Sequence, residues 1–124
     1  EFNPSIQGYA LEPKEELHGL EGLKHMGSSI IPGIYKEEQL DGKISVSTEY
    51  AYDMVDTLEK KEGILVGQSS AAALCGALEL ARRIKKGVIV TVFPDSCDRC
   101  YVNFGKFKEY YEQNQSHKLP KADG

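Results

Sequence analysis

A layered α/β fold built on a parallel sheet is predicted by three observations in the second half of the chain. The first is Ile64-Leu65-Val66, a short apolar burst bounded by Gly63 and Gly67. A run that is apolar on both faces, with no polar alternation, reads as a fully buried parallel strand. The second is the stretch that follows, where Leu74, Ala77, Leu78 and Ala81 recur at helical spacing and give one apolar stripe. The third is Val88 to Phe93, a second buried run that ends at Pro94-Asp95. Strand, helix and strand in this order make one βαβ unit, whose strands lie parallel through a right-handed crossover. Ser69 or Ser70 caps the helix, and Lys85-Lys86-Gly87 close it with positive charge and a glycine.

The elements upstream fit the same class. Ile6 to Leu11 reads as a first strand, entered after Pro4 and left at Glu12-Pro13. From Lys14 to Gly33 there are four glycines, Pro32 and two histidines but no sustained periodicity, so this stretch is a long loop. Loops of that length inside a domain are either functional or disordered. The insertions Leu17, Leu20, Leu23, Met26, Ile30 and Ile31 favour a packed, ordered one. Ile34 to Asp41 is short and polar, with room for a helical turn. Lys43 to Ser47 alternates like a strand, and Ser47 or Thr48 then caps a helix whose buried face is Ala51, Met54, Val55 and Leu58. Tyr101 to Tyr111, rich in aromatics and lysine, reads as a final helix. The chain thus divides into a domain over residues 1–112 and a polar tail over 113–124 that is expected to fray.

Composition narrows the function classes. The chain has 124 residues, 40% of them apolar, which suits a single domain or part of one. The net charge of −4 comes from 19 acidic and 15 basic residues, evenly mixed, so nucleic acid is not an expected partner. No apolar run reaches membrane-spanning length, and Glu1-Phe2-Asn3-Pro4 does not read as a signal peptide. The absence of an initiator methionine leads us to expect a processed or truncated start. An odd count of three cysteines points to a cytoplasmic setting rather than a disulfide-stapled secreted fold.

In open α/β sheets ligands sit beyond the carboxyl ends of the strands. Those ends carry two small polar clusters, Gln68-Ser69-Ser70 and Pro94-Asp95-Ser96, facing one crevice. Their sequences carry a resemblance. Glu62-Gly63-Ile64-Leu65-Val66-Gly67-Gln68-Ser69-Ser70-Ala71-Ala72-Ala73 resembles the EGxxxGxSSGAA segment of cysteine synthases. Pro94 to Arg99 resembles their PDSGERY turn, and Gly22 to Met26 followed by Ile31 to Tyr35 resembles an active-site loop of one branch. Order and spacing agree from about Pro4 to Tyr101. The resemblance implies a pyridoxal-phosphate enzyme of the tryptophan-synthase-β-like fold, of which this chain is a partial three-layer parallel-sheet domain. The implied reaction is β-replacement on an activated serine, O-acetylserine or O-phosphoserine, with sulfide to give L-cysteine, and the implied assembly is a homodimer.

The resemblance also assigns residues. Ser69 matches the family serine that hydrogen-bonds the pyridine nitrogen of the cofactor. A neutral hydroxyl leaves that nitrogen unprotonated, whereas an aspartate would hold it protonated as a stronger electron sink. The weaker sink suits β-elimination and disfavours transamination. Asp95 and Ser96 support Ser69 from the neighbouring strand end, and Gly27 and Ser28 line the substrate side. Here the family's glycines are partly replaced by Ser28 and Ser29. The lysine that forms the Schiff base belongs to the part of the family upstream of the match, so no catalytic residue is assigned in this chain, and alone it is expected to be inactive.

Other residues keep plainer readings open beside the sharp ones. Ser69 can be a helix cap only. Cys97-x-x-Cys100 replaces the family's glycine and tyrosine, and it reads as incidental, as a redox-responsive pair, or as a metal half-site. With no second pair and no close histidine, no metal site is assigned. A stand-alone α/β module using Cys97/Cys100 for redox sensing or partner contact is therefore the alternative. Cys75 reads as core, and His25 approaches the substrate only if its loop lines the cleft.

Overall fold

The computed structural model describes residues 3–20 and 22–96. The helix expected over 101–111, the tail over 113–124 and the Cys97/Cys100 pair lie outside the described residues. The elements run strand β1 (Tyr9–Pro13), a 3-10 turn at Glu37–Gln39, strand β2 (Gly42–Val46), helix α1 (Thr48–Glu62) and helix α2 (Gln68–Arg83). The two strands pair in parallel, with Tyr9 opposite Gly42 and Pro13 opposite Val46. Parallel strands with helices packed on them confirm the α/β class. Among the described residues no helix is long and apolar enough to cross a membrane.

β1 starts at Tyr9 rather than at Ile6, for a local reason. Asp41 clamps Gly8 from both sides: the Gly8 N–H donates to its carboxylate at 2.7 Å, and the Asp41 N–H donates to the Gly8 carbonyl at 2.8 Å. Ahead of that clamp the Ile6 N–H turns back onto the Asn3 carbonyl at 3.1 Å, and the Ile6 side chain is exposed. At the other end Pro13 has no N–H to give, and the Lys14 N–H resumes the ladder on the Val46 carbonyl at 2.9 Å.

Parallel strands require a long crossover, usually a helix. Here residues 14–41 form an irregular one, pinned to the start of α1. The buried Tyr52 hydroxyl donates to the Gly19 carbonyl at 2.9 Å, and the Gly19 N–H donates to the Thr48 hydroxyl at 3.3 Å. The Thr48 N–H in turn donates to the Glu15 carboxylate at 3.4 Å. Leu20, only 1% exposed, then drops into the core beside α1 and β2. Only part of the expected packing is seen: Leu20 enters the core and Leu23 packs against it, whereas Leu17, Ile30 and Ile31 are exposed.

α1 matches its expected face: Ala51, Met54, Val55 and Leu58 are buried. Its cap is Ser47, whose side chain accepts the Tyr50 N–H at 3.2 Å. Gly63 ends it in the left-handed region (φ 66°), returning its N–H to the Glu59 carbonyl, and Lys60 and Lys61 sit at the negative end of the dipole.

α2 departs from expectation in three ways, the first at its end: it stops at Arg83 with Ile84 extended beyond it, so Arg82 and Arg83, not Lys85-Lys86-Gly87, supply the closing positive charge. Its buried face is Ser70, Ala71, Ala72, Cys75 and Gly76, not the stripe of Leu74, Ala77, Leu78 and Ala81. Leu78 and Ala81 are exposed, and Leu74 only flanks the core. Small residues win because they let α2 press closely against α1 and the sheet; at Gly76 a methyl group would run into Leu11. The cap is Gly67, in extended geometry, with Ser69 and Ser70 inside the first turn rather than capping it.

The expected strands at Ile64–Val66 and Val88–Phe93 are not formed as paired strands among the described residues. Neighbouring strands must lie about 4.7–4.9 Å apart to share a ladder. Instead, an apolar gap of about 660 Å³ separates residues 87–91 from β1, lined by Tyr9, Leu11 and Ile44 on one side and by Ala73 and Ala77 above. Val88, Val90 and Val92 are 91%, 85% and 72% exposed. Their β-branched composition is that of a buried strand, but among the described residues neither backbone edge pairs with another strand.

Two predictions follow from this packing. Tyr52→Phe leaves the Gly19 carbonyl without its donor in a buried setting, and should cost about 1–3 kcal/mol in urea unfolding. Faster proteolytic cleavage within residues 14–33 should accompany it. Cys75, with no exposed surface, has its thiol pushed up to about 12 by burial. At pH 8 the thiol stays protonated as well as covered, so alkylation followed by peptide mapping should leave Cys75 unmodified until the protein unfolds.

Candidate active site

The polar residues at the start of α2 are held by one carboxylate. Asp95 Oδ1 accepts the Gly67 N–H at 3.3 Å and, in a very short hydrogen bond, the Ser70 hydroxyl. The Ser70 Oγ also accepts the Asp95 N–H at 3.4 Å. Ser70 itself has no exposed surface. A methyl group on Gly67 would overlap the Asp95 carboxylate, so no residue but glycine lets the two segments meet in this way. The negative charge of Asp95 lies against the first N–H groups of α2, where the helix dipole favours it.

Ser69 stands one position away with a different environment. It is half-buried, and its hydroxyl makes no hydrogen bond within the described residues. Successive helical residues point about 100° apart, so the carboxylate that engages Ser70 does not reach Ser69. Ser96 is exposed. The structure thus joins Asp95 to Ser70 and Gly67, with no direct bond from Asp95 to Ser69.

Gly27 and Ser28 belong to a separate cluster. The Ser28 N–H donates to the His25 carbonyl at 3.2 Å, and the Ser28 hydroxyl lies 2.9 Å from His25 Nδ1. The His25 ring covers Gly27, close enough that a methyl group there would sit 3.1 Å from it. Next to this turn the Met26 N–H donates to the Glu12 carboxylate at 3.3 Å, tying the loop to the carboxyl end of β1. No hydrogen bond joins this cluster to Ser69 or Asp95 among the described residues.

Sequence reasoning left the roles of three of these participants unassigned. Gly67 reads only as a strand breaker, yet it is both the cap of α2 and the space that admits Asp95. Ser70 is indistinguishable from Ser69 in a run of small polar residues. Glu12 carries no motif at all; its importance comes from the tertiary return of the loop to β1.

Residues 4–95 match the family model described as pyridoxal-phosphate dependent enzyme. A cysteine synthase from Aquifex aeolicus is 51% identical over 102 residues, covering 79% of this chain and 31% of that protein. An O-acetylserine dependent cystathionine beta-synthase from Bacillus subtilis is 37% identical over 121 residues, covering 90% of this chain and 37% of that protein. Among solved structures, a cysteine synthase from Entamoeba histolytica superposes with a TM-score of 0.73 at 30% identity, covering 84% of this chain and 33% of that one. The chain therefore spans about a third of the length of these relatives. The matched residues include both serines at the start of α2, the aspartate that holds one of them, and the loop tied to β1, and by this match the chain belongs to the pyridoxal-phosphate dependent enzymes.

Proposed function

We propose that this chain forms the C-terminal part of a cysteine synthase-like enzyme that replaces the β-substituent of an activated serine with sulfide, giving L-cysteine. O-acetylserine and O-phosphoserine are the activated serines that suit the reaction. The observation that carries the reading is the half-buried, unengaged Ser69 hydroxyl at the start of α2, in a chain 51% identical over 102 residues to a cysteine synthase. The complete enzyme would act as a cytoplasmic homodimer on small molecules, and this segment alone would be inactive.

The donor set fits the family's cofactor. A serine hydroxyl can donate to an unprotonated pyridine nitrogen, and Ser69 is the hydroxyl in this cluster that no neighbour consumes. Pyridoxal phosphate, when bound, supplies the electron sink for breaking bonds at the substrate's α and β carbons. This chain's own contribution is to position and to tune. Ser69 would hold the ring by a neutral hydrogen bond and avoid a formal positive charge on its nitrogen. The Asp95 carboxylate is already committed to Ser70 and Gly67. The turn at His25–Ser28, fixed by its internal hydrogen bonds, would form the substrate-side wall.

In the complete enzyme, Ser69→Ala should lower kcat for cysteine formation by about tenfold, the loss of roughly one hydrogen bond. Since Ser69 bonds nothing in the protein itself, the unfolding midpoint should barely move. Steady-state assays with O-acetylserine or O-phosphoserine and sulfide provide the check, and unchanged kcat at saturating substrate would remove Ser69 from this role.

A further inference from the structure

We infer that Asp95 is a positioning residue that selects which of two adjacent serines is presented to the ring nitrogen; the inference rests on the function proposed above. Ser69 and Ser70 are chemically identical and neighbours on one helix turn, so nothing intrinsic distinguishes them. The difference is Asp95. An ionised carboxylate only accepts hydrogen bonds, and Asp95 accepts one from the Ser70 hydroxyl while its own N–H donates to the same oxygen. With its donor spent and one lone pair filled, the buried Ser70 is withdrawn from ligand chemistry. The same carboxylate holds the Gly67 N–H, which sets the first turn of α2 and so the direction in which Ser69 leaves the helix.

Asp95 reaches across from the end of residues 88–93, a segment far from α2's first turn in sequence. Pro94 precedes it and has a restricted backbone. Gly67 is the counterpart, because any side chain there would displace the carboxylate. Gly67, Ser70 and Asp95 therefore act as one device, whose output is the orientation of Ser69. Asp95 touches no reacting group in this scheme and acts through its neighbours.

The test is a double-mutant cycle on the complete enzyme, read by the absorption band of the bound cofactor as well as by kinetics. Asp95→Ala should lower kcat about tenfold with KM changed less than twofold, and should shift the cofactor band in the same direction as Ser69→Ala. In a Ser69→Ala background, Asp95→Ala should add less than twofold, since its effect passes through Ser69. Asp95→Asn, which keeps an acceptor oxygen for Ser70 and Gly67, should restore most of the activity. In the cofactor-free protein, Asp95→Ala should speed hydrogen exchange at the Gly67 amide by tenfold or more, while amides of β2 are unchanged. If Asp95→Ala and Ser69→Ala multiply in full, Asp95 acts independently of Ser69 and the inference falls. If Ser69→Ala itself changes nothing, the parent reading fails instead. Should Asp95→Ala not fold, Asp95→Asn and Ser70→Ala run the same cycle: Ser70→Ala should weaken the band shift without abolishing it, and a Ser70→Ala enzyme identical to wild type in band and exchange also overturns the inference.

Discussion

The fold depends on solving one entropic problem, the closing of a parallel strand pair without a crossover helix. Bringing β1 beside β2 orders the described residues between 14 and 41, and few of those make backbone ladders of their own. The cost is offset at one place. Gly19 offers its N–H to Thr48 and its carbonyl to Tyr52, both side chains that are almost wholly buried at the start of α1. Leu20 follows them into the core. Satisfying both backbone groups of Gly19 is what allows a loop to enter an apolar interior. Once that point is tied down, α1 lies in a set position relative to the loop, and the loop's later turn at His25–Ser28 can be fastened to Glu12.

The small residues of α2 extend the same arrangement toward the site. Ala71, Ala72, Cys75 and Gly76 bring the helix axis close to α1 and the sheet, and the core gains contact at the expense of side-chain volume. The first turn of α2 then meets Asp95 at a distance that a single additional methyl group would not tolerate. Close packing and the polar cluster are therefore not separate features. The helix that packs by smallness is the one whose N-terminus can receive a carboxylate from another segment.

Much was legible in the residues themselves. The periodicity of Ala51, Met54, Val55 and Leu58, with Ser47 ahead and Gly63 behind, specifies α1 almost completely, because caps and apolar spacing are local properties. The existence of α2 was legible from Leu74 to Ala81, but its caps and its buried face were not: it starts after Gly67 rather than at Ser69 or Ser70, and it ends at Arg83, before Lys85-Lys86-Gly87. Leucines outweigh alanines in a reading by hydrophobicity, whereas the decisive quantity is how near two backbones can come. Val88 to Phe93 has the composition of a buried strand, and composition cannot supply a partner edge: with the apolar gap between it and β1, the segment pairs with no strand among the described residues.

By itself, the sequence determined the α/β class, the two helices and the family motif, all of which rest on short-range spacing or on strings of adjacent residues. It also placed Ser69, Ser70 and Asp95 in one crevice, through the reading of residues 64–93 as one βαβ unit. Only the tertiary structure decided that Asp95 binds Ser70 rather than Ser69, that Gly67 makes room for it, and that Glu12 holds the loop. The physical reason is that a hydrogen bond depends on direction and on tenths of an ångström. Two adjacent serines differ in neither composition nor spacing, but they differ by about 100° around a helix, and one carboxylate can meet only the one that faces it.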